Sequence, residues 1–250
     1  MKNVQVSVII PCYNSEKTIL RAIDSVLNGT LLPYEILIYD DNSNDNTVQV
    51  IEEKFSNKDI VKLFKGSENR GAGFARKELI QKAVGNFIAF LDADDFWYEE
   101  KLEKQVKEIS NKKYDIVTCG YDIFDEAGLL VGTRLPIKNI NKYTIHLTNW
   151  LPTSMTVFRK NLESAQDMPQ IRRRQDYGFW LRIFKNNKKL KCRVIDERLG
   201  GYLRRSDSLS SSKLNNVKFN FRLFRDVMKY SFLFSIFCVF LNITIRILRK

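Results

Sequence analysis

The segment NFIAFLDADDFW (residues 86–97) decides how the rest of the chain is read. Phe87, Ile88, Ala89, Phe90 and Leu91 run apolar without a break, and Asp92, Asp94 and Asp95 then arrive within four residues. A short unbroken apolar run predicts a strand buried on both faces. Its acidic end then sits at the carboxyl edge of a sheet, where open α/β folds bind ligands. Three crowded carboxylates repel one another unless a cation joins them. Oxygen-only ligands suit a hard divalent ion such as Mg2+ or Mn2+ rather than zinc. The other reading is an acidic turn that caps a helix starting near Glu99.

Toward the amino end, Val6–Ile10 predicts a β-branched strand closed by Pro11, with Cys12-Tyr13-Asn14 as the loop after it. A helix is expected from about Ser15, which is placed to cap it. Ile19, Ala22, Ile23, Val26 and Leu27 form its apolar stripe, and Gly29 stops it. Tyr34–Tyr39 predicts a second strand ending in Asp40-Asp41-Asn42-Ser43. A helix over roughly Asn46–Phe55 and a strand at Val61–Phe64 follow. Strands alternating with short helices predict a parallel, doubly wound sheet. Asn69-Arg70-Gly71-Ala72-Gly73 then leads into a helix that carries Arg76 in its first turn and ends near Gly85. Neither GxxxxGK[ST] nor GxGxxG occurs, so a diphosphate ligand would draw its positive charge from a metal and from arginines.

On the carboxyl side, Leu102, Val106 and Ile109 mark an amphipathic helix. Tyr114–Phe124 and Leu129–Arg134 read as a hairpin around Asp125–Gly128. Residues 135–160 are polar and irregular, ending in a strand at Thr153–Phe158. Arg172-Arg173-Arg174-Gln175-Asp176 precedes a helix over Tyr177–Phe184. Asp176 reads either as an N-cap or as a functional carboxylate at a helix amino end, whose dipole favours negative charge. The arginine triplet is either a solvated face or part of an acceptor site.

The chain has 250 residues and a formal charge of +12, with 44% hydrophobic and 28% charged residues, as expected of a folded globular protein. Residues 201–250 hold ten Lys/Arg against two Asp/Glu, so +8 of the excess lies in the last fifth. Tyr230–Ile245 is a nearly continuous apolar run, flanked by Arg222, Arg225 and Lys229 and by Arg246, Arg249 and Lys250. It is shorter than the roughly 20 residues of a membrane span. It fits a helix lying in a membrane interface, or a buried helix packed on the domain. Cys12, Cys119, Cys192 and Cys238 show no CxxC spacing and read as reduced thiols of a cytosolic protein. A single histidine, His146, argues against zinc or His-based catalysis, and no signal peptide is expected at the amino end.

Taken together, VSVIIPCYN (6–14), EILIYDDNSNDNT (35–47), NRGAGFARKE (69–78), FIAFLDADDFW (87–97) and RQDYGFWLR (174–182) resemble the family 2 inverting glycosyltransferases. GYLRRSDSLS (201–210) resembles the family's stretch beyond the catalytic region. The resemblance implies an α/β, GT-A fold: a Rossmann-like, mostly parallel sheet flanked by helices. Here it would carry a C-terminal helical, membrane-associating extension. Residues 1–112 would form the nucleotide-sugar half, 113–210 the acceptor and catalytic half, and 211–250 the basic, apolar tail. By motif position, Pro11 and Tyr13 would line the base pocket, and Asp41 would accept from the N–H of a uracil. Arg76 would lie near the nucleotide's base or phosphates, and Asp92 would meet the ribose. Asp94 would coordinate Mn2+ or Mg2+, and Asp176 would be the general base. The family often has Glu-Asp where this chain has Gln175-Asp176, which removes one neighbouring carboxylate.

The implied activity is transfer of a hexose or N-acetylhexosamine from a UDP-sugar to a lipid-linked or soluble glycan acceptor. The setting would be bacterial O-antigen or capsule assembly, with the protein peripheral on the cytoplasmic face of the inner membrane. Two other classes share parts of this pattern. A hydrolase needs two flanking carboxylates, for which Asp92 and Asp176 are the candidates. A nucleic-acid-binding protein, or a sugar binder without activity, would also use a basic nucleotide-type fold. The positive excess, however, flanks an apolar run rather than an aromatic-studded polar surface, and no nucleic-acid motif is present.

Overall fold

A computed structural model describes residues 4–110, 113–169, 171, 173–204 and 213–248. Arg172, the stretch 205–210 and the terminal pair Arg249 and Lys250, which the sequence reading uses, lie outside the described residues.

The amino half alternates strand and helix as its sequence predicts. It runs β1 (Val6–Cys12), α1 (Ile19–Leu27), β2 (Glu35–Asp40), α2 (Thr47–Phe55), β3 (Val61–Lys65), α3 (Ala72–Lys82) and β4 (Phe87–Phe90). There follow β5 (Phe96–Trp97), α4 (Lys101–Ser110), β6 (Ile116–Phe124), β7 (Leu130–Arg134), β8 (Thr156–Arg159), α5 (Gln175–Asn186) and β9 (Cys192–Leu203). Two helices close the chain, α6 (Lys213–Arg222) and α7 (Phe232–Leu248), joined by a wide helical turn at Leu223–Val227. One sheet runs through the molecule in the order β3-β2-β1-β4-β8-β6-β9-β5, with β7 paired to β6.

β1, β2, β3 and β4 pair in parallel, so their carboxyl ends meet at one edge. Beyond β4 the sheet is mixed: β4–β8, β6–β8, β6–β7 and β5–β9 are antiparallel, whereas β6–β9 is parallel. Every residue of β1, β2 and β4 is buried. Alternation along these strands feeds two cores. Val8, Ile10, Phe87, Ala89 and Leu91 face α1, α2 and α4, while Ile9, Ile88 and Phe90 face α3 and α5. On the second face Phe90, Phe158, Phe179 and Trp180 pack ring against ring, with centroids 4.9–6.4 Å apart. Leu223, Phe224, Met228, Cys238 and Val239 are buried in that same cluster, so one side of α7 completes the core.

Several local expectations are corrected. The first helix starts at Ile19, not Ser15. The Ser15 hydroxyl bonds to the Tyr13 carbonyl, and only the Ser15 main-chain oxygen receives the helix, from Ile19 N–H. The strand expected from Thr153 begins at Thr156, after a single tight helical turn at Thr153–Met155. Asp176 is not an N-cap: it is the second residue of α5, whose cap position is Arg174 in the left-handed region (φ 62°). β9, with twelve residues, was not foreseen.

Candidate active site

The loops that leave β1, β2 and β4 converge because those strands are parallel neighbours. Pro11 is buried within β1, and the ring of Tyr13, in the loop that follows, is exposed beside it. Asp40 closes the next loop by accepting from both the N–H and the hydroxyl of Ser43. That hydroxyl accepts from Asn14 N–H (2.9 Å), and Asn14 Oδ1 accepts from Asn44 N–H (2.8 Å), so the first two loops are stitched together.

Asp41 is buried and accepts two backbone N–H groups, from Arg70 (3.0 Å) and Gly71 (2.6 Å). These are the last residues before α3, and Gly71 sits at φ 88°, a conformation that glycine adopts without strain. Asp41 therefore holds the glycine loop in place with two acceptor sites, leaving lone pairs for a ligand N–H. Five residues into α3, Arg76 is buried and ion-paired through Nη2 to Asp92 Oδ1. Its Nε, also buried, has no protein partner, so a further acceptor is wanted there.

The acidic strand end is organised by one hydroxyl. Ser154 Oγ donates to Asp95 Oδ2 and accepts from the Asp92 N–H (3.1 Å). Trp97 Nε1 donates to the Ser154 carbonyl (2.7 Å), and Leu203 N–H on β9 donates to Asp95 Oδ1 (3.2 Å). Burial, then the charges of Asp94 and Asp92, push the Asp95 carboxyl well above the usual carboxylate range. Burial and the same three aspartates also push the Tyr202 phenol up. Negative charge is thus concentrated at this edge.

Among the described residues no three His, Cys, Asp or Glu side chains form a metal cage. Asp92 is engaged by Arg76, and Asp95 is turned inward to Ser154 and Leu203 N–H. Asp94, half-buried, is the third carboxylate of the acidic strand end. Such a donor set fits a hard ion that takes one carboxylate from the protein and its other oxygens from a diphosphate and water.

Asp176 lies in the first turn of α5 and accepts from Asn149 Nδ2 (2.6 Å). Two connections carry it toward the acidic end of β4. Its neighbour Gln175 packs so closely on Gly73 that a Cβ there would collide with the Gln175 side chain. Gly73 is one helical turn before Arg76, the partner of Asp92. Ser154 also follows Asn149 by only five residues, so the partner of Asp176 and the hub of the acidic end are at most about 18 Å apart.

The sequence and fold that carry these residues match known proteins. The model of the family described as "Glycosyl transferase family 2" matches residues 7–188, from β1 through α5. The chain belongs to glycosyl transferase family 2. A Bacillus subtilis (strain 168) protein named "Putative teichuronic acid biosynthesis glycosyltransferase TuaG" is 30% identical over 234 residues, 93% of this chain and 92% of that relative. Escherichia coli WfgD, named as a UDP-Glc:alpha-D-GlcNAc-diphosphoundecaprenol beta-1,3-glucosyltransferase, is 32% identical over 87% of this chain and 84% of its own. The crystal structure of S. aureus TarS 1–349 in complex with UDP-GlcNAc superposes with a TM-score of 0.74 at 22% identity, covering 94% of this family 2 chain and 70% of TarS 1–349. The fold is GT-A.

Sequence reasoning missed Asn149 and Ser154, which stand in the polar stretch 135–160 and belong to none of the quoted motifs. Their partners are 27 and 59 residues away, so no local signal marks them. The lone histidine has a structural place: His146 Nε2 meets Tyr230 Oη at 2.9 Å, and burial pulls its pKa down.

Proposed function

We propose that this family 2 member is a metal-dependent, inverting glycosyltransferase that moves a hexose or N-acetylhexosamine from a UDP-sugar to a polyprenyl-diphosphate-linked glycan, in bacterial surface polysaccharide synthesis. The observation that carries the reading is the link, through Asn149–Ser154 and Gly73–Gln175, between Asp176 and the acidic end of β4. A displacement at a sugar C1 needs both a place for the leaving diphosphate and a carboxylate for the incoming hydroxyl. WfgD supports the donor and acceptor classes, since its name specifies a UDP-sugar and a diphosphoundecaprenol-linked acceptor.

In this reading the exposed Tyr13 ring and buried Pro11 receive the uracil, and Asp41 accepts its N–H. Arg76, held by Asp92, faces the nucleotide, with its unpartnered Nε available to a phosphate or ribose oxygen. Asp94 would hold Mn2+ or Mg2+, which when bound supplies Lewis-acid neutralisation of the departing diphosphate. Asp176, oriented by Asn149, takes the proton of the acceptor hydroxyl as that oxygen attacks C1 from the face opposite the leaving group. A single displacement with one base and no protein nucleophile inverts the anomeric centre. The hydrolase alternative is less well supported, because Asp92 already commits an oxygen to a buried guanidinium. A polyprenyl acceptor puts the work at a bilayer surface, so the protein is read as peripheral on the cytoplasmic face of the inner membrane.

The test is nucleotide release from UDP-, GDP- and dTDP-sugars with Mn2+ or EDTA, with lipid-linked acceptor present, for wild type, Asp94→Ala and Asp176→Ala. Metal-dependent turnover of a UDP-sugar, lost in both variants, is expected. No turnover of any donor, together with no metal-dependent UDP binding, would reduce the reading to a binding protein.

A further inference from the structure

Helix α7 is inverted relative to a helix on a water-facing surface. Its buried side carries the polar groups: Ser235 donates to the Ser231 carbonyl, and Asn242 donates to the carbonyls of His146 (2.8 Å) and Cys238. Its exposed side carries Leu233, Ile236, Phe237, Phe240, Ile243, Ile247 and Leu248, with Leu233 at 78% and Phe240 at 63% exposure. These positions recur at three- and four-residue steps, one continuous apolar stripe that is roughly 22 Å long at 1.5 Å per residue. A soluble domain has no use for such a stripe, since every residue on it costs hydrophobic free energy in water. Among the described residues no helix is long and apolar enough to cross a membrane, so the stripe is not a span.

Charge identifies the occupant. The approach to α7 exposes Lys218, Arg222, Arg225 and Lys229 against a single acid, Asp226. A second copy docking on this face by two-fold symmetry would bring two such basic clusters together, whereas an anionic surface complements them. We propose that the exposed face of α7 lies in the interfacial plane of a membrane containing anionic lipid, with the basic residues of α6 and the following turn over the headgroups. This rests on the reading that the acceptor is lipid-linked, and it names the surface that meets the bilayer. The buried face of the same helix is tied inward: Asn242 and the Tyr177 hydroxyl both donate to the His146 carbonyl, and Tyr177 adjoins Asp176. The membrane-facing helix is thereby braced on the segment that supports the candidate base.

The test is flotation of the full chain with vesicles of phosphatidylcholine alone and of phosphatidylcholine with phosphatidylglycerol, comparing wild type with the triple variant Leu233→Glu, Phe237→Glu, Phe240→Glu. All three side chains are exposed, so circular dichroism and thermal unfolding should stay unchanged while the partition coefficient falls at least about a hundredfold. Lys218→Gln with Arg222→Gln should weaken binding about fivefold per charge, and only to the anionic vesicles. Phe237→Trp should shift its emission to the blue on vesicle addition and be quenched by brominated lipid. Wild type failing to float with either vesicle, or the triple variant floating equally well, overturns the proposal. So does a stable dimer that the triple variant dissociates, because the stripe would then be covered by a second copy. A protein that floats but turns over no donor keeps this inference and removes the transferase reading. One that turns over a UDP-sugar but ignores vesicles does the reverse.

Discussion

Lys101 opens α4 fully buried, with its ammonium 2.8 Å from Gln105 Oε1 and 3.6 Å from the centre of the Trp97 ring. Burial pulls its pKa from 10.5 down to about 7, with the nearby Cys119 opposing. At about 1.4 kcal/mol per pH unit, that depression corresponds to a cost of about 5 kcal/mol for the charged form at and below pH 7. The Trp97 face returns about 2 kcal/mol. Lys101→Met keeps the stem's packing but strips Gln105 Oε1 of its donor, costing about 1 kcal/mol. The variant should therefore be about 2 kcal/mol more stable than wild type near neutral pH. The pH dependence carries a definite sign. Between pH 7 and 10.5 the unfolded lysine holds a proton that the folded one lacks, so wild-type stability rises with pH relative to the variant, and the gap first closes and then reverses. Urea unfolding of both proteins, followed by tryptophan fluorescence at pH 6.5, 8.5 and 10, measures this. A variant less stable than wild type at pH 6.5, or a difference independent of pH, would refute the reasoning.

Three further predictions concern the site. Asn149→Ala removes one hydrogen bond to the Asp176 carboxylate and should lower turnover about 10- to 100-fold while leaving UDP affinity unchanged by calorimetry; equal losses in both would mean general misfolding. Arg76→Leu leaves Asp92 without its guanidinium and should weaken UDP binding about 10- to 100-fold by titration calorimetry, and wild-type affinity would sink the assignment. Gly73→Ala pushes a methyl into the Gln175 carboxamide, the flexible end of that side chain, so it should cost less than about 1 kcal/mol of stability while displacing Gln175 and lowering turnover; Gln175→Ala in the same chain should restore most of it, and a double variant no better than Gly73→Ala would show that the clash is elsewhere.

The amino half was legible because its information is local. β1, β2 and β4 are short apolar runs, each ending in the residues that form a loop of the site, and parallel pairing then brings those ends together. β9 was hidden because Arg193, Asp196, Glu197 and Arg198 interrupt its apolar positions, and a Gly-Gly pair such as Gly200-Gly201 is a turn signal rather than a strand one. Those glycines are instead where β9 passes β5, since a Cβ on Gly201 would run into the Phe96 ring. Ser154 and Asn149 were invisible because a hydroxyl or amide in a polar loop acquires meaning only from a partner far along the chain. For α7 the apolar run was plain, but hydropathy does not say which face turns inward. Asn242 and Ser235, read as interruptions of that run, are the residues that point into the protein.

The five-residue strut from Asn149 to Ser154 has a consequence for the order of events. Pro152 lies within it, and the Trp97 indole pins its far end, so the segment has little slack. On the proposed reading, a ligand that shifted Ser154 by settling on the acidic strand end would also move Asn149, and with it the orientation of Asp176. Thermodynamic linkage makes the exchange mutual: whatever factor an occupied donor site applies to acceptor affinity, the acceptor applies to the donor. A transferase wired this way reads both substrates as one event.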